Sequence, residues 1–329
     1  MSLKWIFFRP KNGAASASSG PGSQATIVVN EQVKQLVFGD SVAAREPCNL
    51  ISIFGGARQG KSFLMNCLSG TTGLFTISNL STPCTQGIDI SRNMIPLKAF
   101  SEIDSGRSTG SSIRMRVGFV DAEGQGDRDV TYDAVSHPLL TPLFLTSPLL
   151  SQHLVCPILL TSKCVLLNWM DSVQKDKILN HLGIMHKAAI NVATEGDLGD
   201  DGAPIFGHLH IVFRDWRFQG DEKSVMNDIF KEERSADTAA AVRNQIRRSV
   251  KESFQSVRVW LLPPPSTDTS TLRSEMVVER TSAEFRGKVR ELRGVLVSEF
   301  IASSPHPFDL TSLSRPNNLP NPPNSMGKF

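Results

Sequence analysis

The sequence predicts an α/β fold, a mostly parallel central sheet with helices on both faces. Three observations carry this. Short, fully apolar runs of strand length recur, as strands buried on both faces require. Segments with apolar residues at three- and four-residue spacing alternate with them. A glycine-rich loop, GGARQGKS at 55–62, joins one apolar run directly to such a segment.

Taken in chain order, Trp5 to Phe8 is a short apolar run closed by Arg9-Pro10, too short for the core of a secretory signal. With the small, polar stretch 11–24 it is expected to form a disordered lead-in over 1–24. Residues 25–30 and 49–54 read as strands, and 61–68 as a helix ended by Gly70. Residues 112–120 read as a strand running into DAEG, and 164–168 as a short apolar strand. Ile178, Leu182, Met185 and Ala189 mark an amphipathic helix over 173–193. A buried strand follows at 209–213, then a helix at 236–255 carrying Val242, Ile246, Val250 and Phe254, then a strand at 257–262 stopped by three prolines. Thr281-Ser-Ala-Glu284 reads as a capping box for a last helix with Phe285, Val289, Leu292, Leu296 and Phe300 on one face. The main domain is expected over 25–302. Residues 303–329 hold six prolines among Ser and Asn and read as a disordered tail.

One segment fits neither period. SHPLLTPLFLTSPLLSQH, 136–153, has three prolines and no Asp, Glu, Lys or Arg. It reads as an insertion in the domain, arising from a retained intron or gene-model artefact, or else as a Leu-rich surface loop.

Composition narrows the function classes. The chain has 329 residues, 40% hydrophobic and 20% charged, as in ordinary soluble globular proteins. Its net charge of +3 gives no electrostatic reason to expect nucleic acid or an anionic membrane as partner. Arg243, Arg247, Arg248 and Lys251 lie opposite an apolar helix face and read as a solvated surface. Five cysteines without a CxxC pair speak against a disulfide framework or zinc site and for a reducing, cytoplasmic compartment, peripheral to membranes at most. No apolar run reaches membrane-spanning length.

The chemistry concentrates in four places. Gly55, Gly56, Ala57, Arg58, Gln59, Gly60, Lys61, Ser62 and Phe63 form a strand–loop–helix passage with the spacing of a phosphate loop. Loop amides and the helix N-terminus would face phosphate oxygens, Lys61 would bridge the β- and γ-phosphates, and Ser62 would bind Mg²⁺. D121-A-E-G124 follows a second strand; Asp121 would reach Mg²⁺ through water and the Gly124 amide would feel the γ-phosphate. Thr85, 24 residues beyond Lys61, is placed to close on Mg²⁺ and γ-phosphate. Arg214-Asp215 ends the strand at 209–213, where a carboxylate can accept from guanine N1–H and N2–H₂. Each piece alone has an ordinary reading as a turn, loop or strand-end ion pair.

Together, GKSFLMNCLSG, TQGI, DAEGQGD and FRD, in that order, resemble the GTPases of the guanylate-binding protein and atlastin family within the dynamin superfamily. The resemblance covers roughly 30–300, one G domain, and has RD in place of the usual NKxD. It implies a P-loop NTPase G domain that hydrolyses GTP to GDP with Mg²⁺ and forms GTP-dependent homodimers or pairs with related GTPases. Carried over residue by residue, it implies phosphate and magnesium roles for Lys61 and Ser62, a switch role for Thr85 and metal binding through Asp121. It places Glu123 in the water network and makes Asp215 the guanine reader. Arg58 falls on the position of an internal arginine finger that turns inward when G domains pair. Two departures matter. Pro83 stands where the family often has a serine that holds the attacking water, and a proline offers neither hydroxyl nor N–H. Gln125 directly follows Gly124, and a glutamine there can orient water; it is expected to take over part of the lost role. The alternative to an active GTPase is a catalytically weak GTP-binding switch or decoy acting through pairing. An ATP-dependent P-loop enzyme is a third reading.

Overall fold

The structure is a computed structural model describing residues 1–10, 25–38, 46–77, 87–103, 114–122, 158–170, 172–195, 204–234, 237–266 and 280–302. The segment 136–153 and the tail 303–329 lie outside the described residues. The strands are β1 (Ser2–Pro10), β2 (Ala25–Val29), β3 (Cys48–Gly55), β4 (Ile88–Ser91), β5 (Ile95–Pro96), β6 (Arg116–Ala122), β7 (Ser162–Met170), β8 (Phe206–Arg214) and β9 (Phe254–Leu261). The helices are α1 (Glu31–Phe38), α2 (Lys61–Ser69), α3 (Leu97–Glu102), α4 (Lys175–Glu195), α5 (Glu222–Phe230), α6 (Thr238–Ser253) and α7 (Ala283–Ala302).

One mixed sheet has the order β2-β1-β4-β6-β3-β7-β8-β9, with β5 also on β6. The strands β6, β3, β7, β8 and β9 run parallel. The remaining pairings, β1 with β2 and β4, and β6 with β4 and β5, are antiparallel. The parallel strands are the near-continuous apolar runs, because helices cover both of their faces. Leu50, Phe54, Val165, Leu167, Leu209 and Ile211 pack on one face with Ile178, Leu182, Val225 and Val250 from α4, α5 and α6. Ile51, Ile53, Phe119, Leu166 and Val212 pack on the other with Leu64, Leu68, Phe100, Leu292 and Leu296 from α2, α3 and α7.

Three expectations are corrected. The lead-in does not span 1–24, because Ser2–Pro10 is β1, a strand whose backbone pairs with both β2 and β4. The cap of α7 is Ser282, not Thr281: Ser282 Oγ accepts the Phe285 N–H at 3.1 Å, three residues on, and Thr281 is buried. The basic stripe of α6 is not wholly solvated. Arg247 is buried, donating to Ile229 O at 3.0 Å and Glu233 at 2.9 Å, while Arg243 also pairs with Glu233 and Arg248 with Glu232. These arginines neutralise neighbouring carboxylates. Among the described residues no helix is long and apolar enough to cross a membrane.

Candidate functional site

The site is built at the carboxyl ends of β3, β6, β7 and β8, where open parallel sheets place ligands. β3 ends in Gly55 at φ 144, backbone that favours glycine. A Cβ there would lie 2.2 Å from the Asn168 carbonyl oxygen on neighbouring β7, so only glycine allows the strands to pair this closely. Arg58 (φ 58) and Gly60 (φ 68) are left-handed, and left-handed residues in a tight loop gather successive N–H groups on one concave side. Arg58 is exposed on this loop. Gly60 stands at the N-cap of α2 and supplies no side-chain cap. The amides of the first turn therefore face the loop with the positive end of the helix dipole behind them.

Lys61 is buried under the loop, and its Nζ donates to Gly56 O at 2.9 Å. Ser62 Oγ donates to Asp121 Oδ2 at 2.6 Å. Asp121 lies within β6, opposite Ile53 on one side and Asp89 on the other, and is fully buried. Two hard oxygen donors from adjacent elements thus meet beside a lysine and a helix N-terminus. That donor set suits Mg²⁺, which takes oxygen ligands and keeps company with phosphates. The loop amides, the ammonium and the two oxygens together could hold a metal-bound polyphosphate.

Arg214 and Asp215 separate in role. Arg214 ends β8 with its side chain 6% exposed, against 21% for Asp215. The Arg214 Nη1 donates to Gly60 O at 2.7 Å and to Gln59 O at 3.2 Å, and its guanidinium lies 5.2 Å over the Phe63 ring. Burial pulls this guanidinium below its ordinary pKa, and Asp215 beside it partly offsets that. Asp215 is left-handed at φ 56, so the chain turns sharply as it leaves the sheet edge. The structure thus gathers Gly55 to Phe63, Asp121 and Arg214 in one place, with Asp215 beside them on the edge. Thr85, Glu123, Gly124, Gln125 and Pro83 lie outside the described residues.

Asn168 was not foreseen. It is fully buried near the end of β7 and donates from Nδ2 to Gln59 O at 2.8 Å. Its signal was present: it is the polar residue closing the buried run CVLLN, and a buried amide demands a partner.

A second polar cluster lies on the face covered by α7, four residues earlier on β7 and β8, about 13 Å along the strands. Glu299 of α7 accepts from His210 Nε2 at 2.8 Å, from Arg258 Nε at 3.0 Å and from Ser256 Oγ at 3.4 Å, with Cys164 Sγ 3.7 Å away. Cys164, His210 and Glu299 are close enough to share an ion. The hydrogen bonds argue otherwise. Trp260 Nε1, which can only donate, bonds His210 Nδ1 at 3.0 Å, so the ring proton sits on Nε2 and points at Glu299. The nitrogen that would bind a metal is already a donor. Burial pushes the Cys164 thiol well above its ordinary pKa, away from the thiolate that metals require.

No family model matches the chain, and no curated protein matches it. Among solved structures, it is similar to the crystal structure of an SsGBP mutation variant, at 12% identity and a TM-score of 0.31, covering 75% of this chain and 57% of that one. At this distance the likeness adds nothing to what the residues show.

Proposed function

We propose that the chain is a P-loop NTPase G domain that binds GTP with Mg²⁺ and hydrolyses it to GDP. The observation that carries this reading is the pair of contacts Lys61 Nζ to Gly56 O and Ser62 Oγ to Asp121 Oδ2, set on a glycine-framed loop at the ends of parallel strands. Lys61 rests on a loop carbonyl, and a triphosphate offers it a stronger, charged acceptor. The loop amides and the α2 N-terminus bind the remaining phosphate oxygens. Ser62, Asp121 and Thr85 would hold Mg²⁺, which neutralises charge on the phosphates. Asp215 accepts from a guanine edge. Phosphoryl transfer then needs positioning and charge more than covalent chemistry. Glu123 and Gln125 orient water, and Arg58 is the internal finger, brought onto the phosphates by pairing with a second copy or a related GTPase.

The switch or decoy reading is favoured by one observation, Pro83 in the place of a water-holding serine. Fluorescent-nucleotide binding and single-turnover phosphate release with purified protein decide between the two. Release of phosphate from GTP with Mg²⁺ is the expected result. Tight binding without release selects the switch, and no binding of GTP or GDP overturns both. Asp215→Asn is expected to erase the preference for GTP over ATP; an unchanged preference would favour an ATP-dependent enzyme.

A further inference from the structure

We propose that Arg214 is a positioning residue for the phosphate loop: it sets the direction of the loop amides and leaves Asp215 alone to read the base. Three observations point the same way. The guanidinium is buried beneath the loop rather than facing outward, and lies over the Phe63 ring. One nitrogen, Nη1, bonds two consecutive carbonyls, Gln59 O and Gly60 O. The space it fills is the one a side chain at Gly60 would need, since a Cβ there would lie 1.9 Å from Nη1.

The consequence follows from peptide geometry. In a trans peptide the C=O of one residue and the N–H of the next point in opposite directions, and none of these bonds is cis. Tying Gln59 O down onto Arg214 and Asn168 therefore turns the Gly60 N–H up, away from the sheet. Tying Gly60 O down does the same for the Lys61 N–H, in concert with the first α2 hydrogen bond, from Leu64 N–H to the same oxygen at 3.1 Å. The brace thus aims two loop amides at the concave side with no ligand present. A lysine is a poor substitute, because an ammonium has no planar face to lie on the Phe63 ring and so is not held between the two carbonyls.

The test compares Arg214→Lys with the unaltered full chain in two measurements. The first is site-resolved amide hydrogen exchange without nucleotide. Faster exchange is expected at Gly60 and Lys61, with protection unchanged in the interiors of β3 and α2; unchanged exchange at both amides overturns the proposal. The second is the affinity for fluorescent GTP and ATP with Mg²⁺, and this arm rests on the triphosphate reading. Both affinities are expected to fall at least tenfold and by the same factor, preserving their ratio. Loss of GTP binding alone would make Arg214 a base reader and overturn the brace. If the unaltered chain binds neither nucleotide, the triphosphate reading falls while exchange at Gly60 and Lys61 still judges the brace. Should Arg214→Lys not fold, Asn168→Ala removes the other donor to Gln59 O. It is expected to speed exchange at Gly60 more than at Lys61, and equal protection of both overturns the proposal.

Discussion

Glu299→Gln keeps the shape of the buried carboxylate and removes its charge. In the folded chain burial alone would raise the Glu299 carboxyl, but the His210 hydrogen bond, the electrostatic attraction of His210 and His208, and the Arg258 hydrogen bond outweigh it and hold it at about 2, against an ordinary 4.5. That difference is worth ~3 kcal/mol at neutral pH. Arg258 is half exposed, so solvent screening lowers the expected cost of the variant to ~2 kcal/mol. The sign follows from the depressed carboxyl. Its contribution is fully present above pH 4.5 and is lost as pH falls toward 2. His208 works partly against this: burial lowers its pKa and the Glu299 charge offsets some of that lowering, so without the charge acid destabilises the fold somewhat more through His208. Urea unfolding followed by tryptophan fluorescence at about pH 7 and pH 3 measures the gap, with unchanged m as the check on two-state behaviour. The gap is expected to shrink between the two, by less than the carboxyl alone would give. A cost under ~0.5 kcal/mol at neutral pH, or a gap that widens in acid, would refute the reasoning.

Three further outcomes are expected. Arg58→Ala should leave GTP affinity within twofold and slow single-turnover hydrolysis by well over tenfold, since fingers contribute ~10³–10⁵ in this chemistry; equal rates would return Arg58 to an exposed loop residue. Ser62→Ala removes one of the two oxygens offered to the cation, so titrating Mg²⁺ against nucleotide affinity should show a response weakened roughly tenfold, as losing one charge-assisted contact implies. Gly55→Ala drives a methyl into the Asn168 carbonyl and should unfold the β3–β7 pairing, seen as a melting temperature lower by ~10 °C or as insoluble protein.

The parallel core was legible because each of its strands is an apolar run bounded by polar or turn residues. The run before GGARQGKS became β3, and the run before DAEG became β6, carrying Asp121 inside the strand. Gly70 ends α2 as its sequence position implied, left-handed at φ 62, with its N–H on Cys67 O. β1 was missed because Lys4, Arg9 and Pro10 interrupt its apolar pattern, and its place is set by partners that a local window does not contain. α1 was missed because eight residues hold too little period to register. The Thr281 cap failed by one residue, since Thr and Ser stand side by side and only geometry chooses between them. At the site, spacing pointed to the loop residues that the structure brings together, but not to how Arg214 divides from Asp215. That division depends on a contact between residues 155 positions apart. Glu299 and His210, 89 positions apart, are invisible for the same reason.

These long-range contacts converge on α2, the helix whose first turn forms the cradle. At its start Arg214 bonds the carbonyls of Gln59 and Gly60 and covers Phe63. The same Phe63 ring stacks on Phe285 of α7 at 6.0 Å. At its end Arg293 of α7 donates to Cys67 O at 2.9 Å and Leu68 O at 3.0 Å, the carbonyls a helix leaves over. Burial lowers that guanidinium to about 10, so it stays charged at neutral pH and opposes the negative end of the α2 dipole. Glu299, two turns further along α7, anchors the same helix to β8 and β9. α2 is therefore gripped at both ends by groups that themselves lock into the sheet. The proposed phosphate loop would gain from this: its amides belong to a helix that cannot tilt without breaking charged contacts at the far end, so they are oriented before a ligand arrives.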